Sequence, residues 1–129
     1  MAIRFLSEDY VAAANATLHR PDIVGRIGDL SLSVQFRVTD PPGSDGPIFY
    51  NLVFGGGGAR MALGQIDDPD VRITSSYETT AGLARQEIKD QVAFLTGKLK
   101  VAGNMARLMG NLGTFLEVRK ALDALDVEY

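Results

Sequence analysis

The chain has 129 residues, 46% of them hydrophobic, and a formal charge of −3, which is enough sequence for one domain with its own core. It contains no Cys, no Trp and a single His, which excludes disulfide scaffolds, thiol nucleophiles and a two-histidine metal site within one chain. The acidic balance argues against a nucleic-acid partner, because phosphate contacts need clustered Lys and Arg, and no run approaches the ~18 apolar residues of a membrane span.

Ser7 before Glu8 and Asp9 predicts a helix start, with a hydroxyl cap and two acids at the positive end of the dipole. Val11, Ala14 and Leu18 continue it at helical spacing, and Pro21 is expected to close it. The same acids interrupt any leader-like apolar run, and Val127-Glu128-Tyr129 matches no common address signal, so a soluble cytoplasmic protein is expected. Leu30, Leu32, Val34, Phe36 and Val38 then alternate with Ser31, Ser33, Gln35, Arg37 and Thr39, the pattern of a half-buried strand. Asp40 to Pro47 is a turn cluster and Ile48 to Phe54 a second strand. Gly55 to Gly58 reads as a hairpin turn, Arg60 to Gln65 as a third strand and Val71 to Tyr77 as a fourth. Hairpin-length links imply antiparallel pairing.

After Thr80 the period becomes helical. Leu83, Ile88, Val92 and Leu95 mark two short helices, separated around Asp90 and ended by Gly97. Lys98 to Val101 is a short strand. Gly103-Asn104 then opens a final amphipathic helix whose stripe is Met105, Leu108, Met109, Leu112, Phe115 and Leu116. Gly110 and Gly113 weaken that helix, and a break near Gly113 with a separate tail helix to Leu125 is one reading. The predicted fold is a single α+β domain with a mostly antiparallel sheet. It has an N-terminal helix over 1–22, a core over 23–112 and a C-terminal extension over 113–129.

No catalytic constellation is visible. Gly55–Gly58 lacks the Lys-Ser/Thr that completes a phosphate loop, and the glycines from Gly97 to Gly113 do not match the dinucleotide fingerprint. Asp67, Asp68 and Asp70 lack the central Gly and closing Glu of a calcium loop and read as a solvated turn. His19 reads as a cation at a helix end, and Ser75, Ser76, Thr79 and Thr80 as strand-end and cap residues. No cofactor and no metal is expected, and no enzymatic activity. Met61, Met105 and Met109 are flexible thioethers that either fill the core or line a lipid cavity.

Residues 90–112, DQVAFLTGKLKVAGNMARLMGNL, resemble the signature of the sterol carrier protein type 2 domain family. The matching positions are Phe94 and Leu95 before Gly97, then Lys98-Leu99-Lys100-Val101, then Gly103-Asn104-Met105 opening a helix. VRITSSYET, from Val71, is similar to the family's fourth strand, and the pattern extends over about 23–112. The resemblance implies a five-stranded sheet covered by helices, with an apolar tunnel between them. It implies non-catalytic carriage of a sterol, fatty acid or fatty acyl-CoA. The implied ligand-binding residues are Phe94, Leu95, Leu99, Val101, Met105, Leu108 and Met109, and the stripe of the final helix adds Leu112. Strand alternation adds Phe36, Leu52, Phe54, Met61 and Ile73. Lys98, Lys100 and Arg107 are the nearest cations for a headgroup, or simply solvated charges.

The chain departs from the family in lacking a peroxisomal tripeptide and in its own segments before Ile23 and after the matched helix. The later segment carries Phe115, Leu116, Val118, Leu122 and Leu125 and could plug or cover the pocket. The alternative is an interaction module with a filled pocket, assembling through this extension as a homodimer or with an enzyme. A transient membrane-surface contact is also left open.

Overall fold

The computed structural model describes residues 3–43 and 46–128. Ser44 and Asp45 of the expected turn, and Tyr129, lie outside the described residues. The elements in chain order are β1 (Ile3–Arg4), α1 (Glu8–Leu18), α2 (Pro21–Ile27), β2 (Leu32–Thr39), β3 (Ile48–Gly55), β4 (Gly58–Leu63) and β5 (Val71–Ser76). Then follow α3 (Tyr77–Ala84), α4 (Asp90–Leu95), β6 (Leu99–Gly103), α5 (Met105–Gly110), α6 (Leu112–Asp123) and β7 (Val127–Glu128).

Local chemistry sets most of these bounds. The Tyr10 N–H donates to Ser7 Oγ at 3.2 Å, so Ser7 caps α1 as expected. Pro21 opens a helix instead of closing one. It stands at the first position of α2, where a missing N–H costs nothing, and α2 buries Ile23 and Ile27. Ser76 ends β5 and caps α3, accepting the Thr79 N–H at 3.1 Å, so Tyr77 is helical and not part of the strand. Gly56 and Gly57 both have positive φ, +63° and +85°, which is the geometry of a tight hairpin between β3 and β4. The last helical region breaks at Asn111, two residues before Gly113. Asn111 Nδ2 donates to the Arg107 carbonyl at 2.8 Å and closes α5, while its own carbonyl accepts the first bond of α6 from the Phe115 N–H.

Five strands form one sheet in the order β4-β3-β2-β5-β6. Three neighbouring pairs are antiparallel, while β2 and β5 are parallel. The expected run of hairpins therefore fails at one link. β4 and β5 are not neighbours, and residues 64–70 carry the chain from one edge across to the far side of β2. Gln35 pins this crossing on the polar face. Its Nε2 donates to the Gly64 carbonyl at 3.1 Å and its Oε1 accepts the Ile66 N–H at 2.9 Å.

Asp70 completes the crossing and is not a merely solvated turn residue. The Ser33 N–H donates to Asp70 Oδ2 at 2.9 Å, and the Asp70 N–H donates to Ser33 Oγ at 2.8 Å. The Asp70 carbonyl accepts the Asn104 N–H at 2.7 Å, and its carboxylate faces Arg107 Nη1 at 3.3 Å. Gly103 has φ +116°, and a Cβ there would collide with the Asp70 carbonyl oxygen. Asp70 thus joins β2, β5 and the start of α5.

The apolar face of the sheet, with Leu32, Val34, Leu52, Phe54, Val71 and Ile73, packs beneath the helices. Buried Ala14, Leu18, Ile23, Ile27, Phe115, Val118 and Leu122 supply the other side of the core. The β4 edge meets α1, and Asn15 closes its free hydrogen-bonding groups there. Asn15 Nδ2 donates to the Met61 carbonyl at 2.9 Å, and Asn15 Oδ1 accepts the Met61 N–H at 2.8 Å. A side chain here imitates a sixth strand. At the chain ends, β1 and β7 pair in parallel, with Ile3 opposite Val127.

Two outcomes follow for stability. Asn15→Ala leaves both Met61 backbone groups unpaired and should cost about 1–3 kcal/mol in urea unfolding. For Asp70, the Ser33 backbone N–H, followed by Arg107, holds the carboxyl below its ordinary value of 3.8. A depressed folded value means stabilisation that is complete well above the ordinary value and lost as pH falls through the folded one. Unfolding curves should therefore show a stability loss below about pH 4 that Asp70→Asn removes, together with lower stability at neutral pH.

Candidate functional site

The helices do not close completely on the sheet. Between them lies a cavity of about 220 Å³. Its floor is the apolar face of the sheet: Phe36 from β2, Tyr50 and Leu52 from β3, Met61 from β4, Ile73 and Ser75 from β5, and Leu99 and Val101 from β6. Strand alternation puts these on one side, while Arg37, Arg72 and Lys100 point to the other. Its walls are Thr80, Leu83 and Ala84 of α3, Gln91 and Phe94 of α4, and Met105, Leu108 and Met109 of α5. Leu112, Phe115, Leu116, Arg119, Leu122 and Asp123 of α6 close the far side.

The cavity reaches solvent along α4 and α5, where the lining residues Phe94 and Met109 are 46% and 58% exposed. A second, more open hollow adjoins it and shares Leu83, Gln91, Leu116, Arg119 and Asp123. Lys89, Gln86 and Lys120 line this outer hollow, so the apolar chamber passes into a polar, largely cationic vestibule.

Few polar groups enter the chamber itself. Ser75 Oγ and Thr80 Oγ1 lie 2.6 Å apart and satisfy each other, and Thr80 also donates to the Ser76 carbonyl. Tyr50 differs. Its ring stacks on Phe36, directly opposite it across β2 and β3, with centroids 4.5 Å apart and planes 2° from parallel. Burial pushes the phenol well above its ordinary value, with Arg119 acting against the shift and Asp123 with it. Tyr50 is therefore a neutral donor held inside an apolar chamber.

Eleven of the thirteen expected ligand-contact residues line the cavity: Phe36, Leu52, Met61, Ile73, Phe94, Leu99, Val101, Met105, Leu108, Met109 and Leu112. Phe54 and Leu95 are not brought to it. Phe54 lies beyond the chamber on β3, buried edge-to-face against Phe115 with centroids 6.2 Å apart. Leu95 sits on the outer side of α4 and is 82% exposed. Lining residues outside the expected set include Tyr50, Ser75, Thr80 and the α6 residues. Tyr50 is within reach of sequence reasoning, since it shares the parity of Leu52 in the same strand. The α6 residues show in the sequence only as an apolar tail with several possible roles.

That tail turns inward. Phe115, Val118 and Leu122 of α6 are buried against the chain's own core. Among the described residues no group of His, Asp and Glu could hold a metal ion, and no helix is long and apolar enough to cross a membrane.

In overall shape the chain is similar to a crystal structure of sterol carrier protein 2, with a TM-score of 0.76 at 18% identity over 95% of this chain and 99% of that one. It is equally similar in TM-score, 0.76, to a conserved hypothetical protein of Thermus thermophilus described as a possible sterol carrier protein, at 17% identity over 98% and 93% of the two chains. The same fold also occurs inside a larger enzyme: a stereoselective inverting sec-alkylsulfatase from Pseudomonas sp. matches with a TM-score of 0.58 at 12% identity, over 93% of this chain and 16% of that one. No curated protein sequence matches the chain. The SCP-2 sterol transfer family model matches residues 14–116, from the middle of α1 to the wall helix α6, and the chain belongs to that family.

Proposed function

We propose that this chain binds an apolar molecule in the chamber under its helices and carries it without transforming it. The observation that carries this reading is the chamber itself: unfilled space of about 220 Å³ between the sheet and its helices. Interiors normally leave few voids larger than a water molecule, and an apolar cavity of ~150 Å³ already accepts a benzene molecule. The chamber suits an acyl segment, and a longer chain or a sterol nucleus would extend through the exposed side at Phe94 and Met109.

Methylene burial, worth about 0.8 kcal/mol for each group, supplies the affinity. Apolar walls select little, which favours loose specificity. Tyr50 supplies a neutral phenol in the lining, so the favoured ligand carries a hydroxyl, carbonyl or carboxyl oxygen that reaches it. A non-catalytic role is supported by the lining, which offers no nucleophile paired with a base among the described residues. The burial of α6 on its own chain favours this reading over a filled module assembling through its tail.

Two variants test it by titration with cis-parinaric acid and by native mass spectrometry. Met105→Trp puts a larger side chain into the chamber. Affinity should fall about tenfold or more while urea stability stays within about 1 kcal/mol of the parent. A stability loss of about 1–3 kcal/mol with unchanged binding would mean that the space is packed and the ligand lies elsewhere. Tyr50→Phe should weaken binding of a fatty acid or sterol by about 1 kcal/mol while leaving a plain hydrocarbon competitor unaffected.

A further inference from the structure

Five large hydrophobic residues are exposed among the described residues, and four of them, Val92, Phe94, Leu95 and Met109, sit on the short helices α4 and α5. Isolated exposed apolar residues are ordinary, but a group of them in one region marks a surface that meets something. Two of the four also line the chamber, so this apolar surface surrounds its opening. Val92 and Leu95 do not line it, and nothing inside the chain explains their exposure at 50% and 82%.

The charges point to the partner. Residues 88–109 carry Lys89, Lys98, Lys100 and Arg107 against Asp90 alone, a net +3 in a chain of −3, so the remainder carries −6. Lys89 stands immediately before α4 and lines the vestibule with Lys120, and Lys98 follows α4 after a two-residue turn. Arg107 is engaged by Asp70 and Lys100 points to the opposite side of the sheet, while Lys89, Lys98 and Lys120 are exposed and remain for this surface. An apolar surface bordered by lysines on an otherwise acidic molecule complements an anionic lipid surface, with side chains entering the acyl boundary and ammonium groups meeting headgroups.

We propose that α4, the β6 edge and α5 form a face that docks on anionic bilayers, with Val92 and Leu95 as its insertion residues. Docking through these residues presents the mouth of the chamber to the lipid. This proposal extends the carrier reading but rests on its own observations.

The test is co-sedimentation of the full chain with phosphatidylcholine vesicles, with and without phosphatidylglycerol. The parent should bind the anionic vesicles, and added salt should weaken binding. Val92→Ser combined with Leu95→Ser should lower the partition coefficient about tenfold. Lys89→Gln and Lys98→Gln should each lower it about fivefold, the effect of one lysine near an anionic surface. All these variants should keep the parent's thermal unfolding curve, and the serine double variant and Lys98→Gln should also keep its cis-parinaric acid affinity in solution, since Val92, Leu95 and Lys98 lie outside the chamber. Absent vesicle binding, or equal binding by the parent and the serine variant, would overturn the proposal. A concentration-dependent dimer of the parent that the serine variant abolishes, without vesicle binding, would overturn it in favour of a second copy on this face. Vesicle binding without cis-parinaric acid binding would leave the docking face standing and remove the carrier reading.

Discussion

Everything after Leu63 depends on how β5 enters the sheet. A parallel strand cannot be reached by a tight turn, so the chain must leave one edge, cross the polar face and come down beside β2 in a register that no hairpin dictates. The exchange of two hydrogen bonds between Ser33 and Asp70 sets that register at the start of the strand. The Asp70 carbonyl then receives Asn104, and the bare Cα of Gly103 lets the end of β6 lie against it. A shift of one residue at this point would turn Ile73 and Ser75 away from the helices and rotate Leu99 and Val101 with them. The chamber floor is therefore as well defined as this one polar junction.

The chamber persists because its roof is made of short pieces. α4 and α5 have six residues each, too few to lay a continuous ridge into the sheet, and each is ended by a side chain bonding back to a carbonyl. Thr96 Oγ1 donates to the Val92 carbonyl at 2.7 Å, and Asn111 does the same for Arg107. A single long helix in place of these segments would bury its stripe evenly against the strands. Broken helices instead hold Phe94, Met105 and Met109 at different depths, and methionine tolerates the resulting irregular surface. The same breaks leave Val92 and Leu95 without an internal surface to cover, which links an interior space to an exterior apolar patch.

The parts legible in the sequence are those with a local period or a local cap. The alternation from Leu32 to Val38 identifies β2 and its inward face, and Ser7 and Asn104 identify two helix starts. Pro21 misleads because proline disfavours a helix behind it and favours one ahead of it, and only Ile23 and Ile27 meeting the core decides between the two. The parallel β2–β5 pair is not legible, since Ser33 and Asp70 are far apart in sequence and neither belongs to a motif. Within the family signature, Phe94 and Leu95 look alike as apolar neighbours. Adjacent helical residues point about 100° apart, so only one of them reaches the chamber. The wall formed by α6 is hidden for a related reason, since an amphipathic stripe shows that something is covered without showing what.

The pairing of Ile3 with Val127 bears on how the protein comes into being. β1 finds its partner in a strand that is synthesised long after it, and closing so long a loop is entropically costly. During translation the sheet can assemble once β6 has emerged, yet α6 and β7 are then still inside or near the ribosome. At that stage the apolar face that becomes the chamber floor is open to whatever surrounds the nascent chain. Container and closure are thus separated in time, and the later-made helix converts a sticky sheet into an enclosed volume.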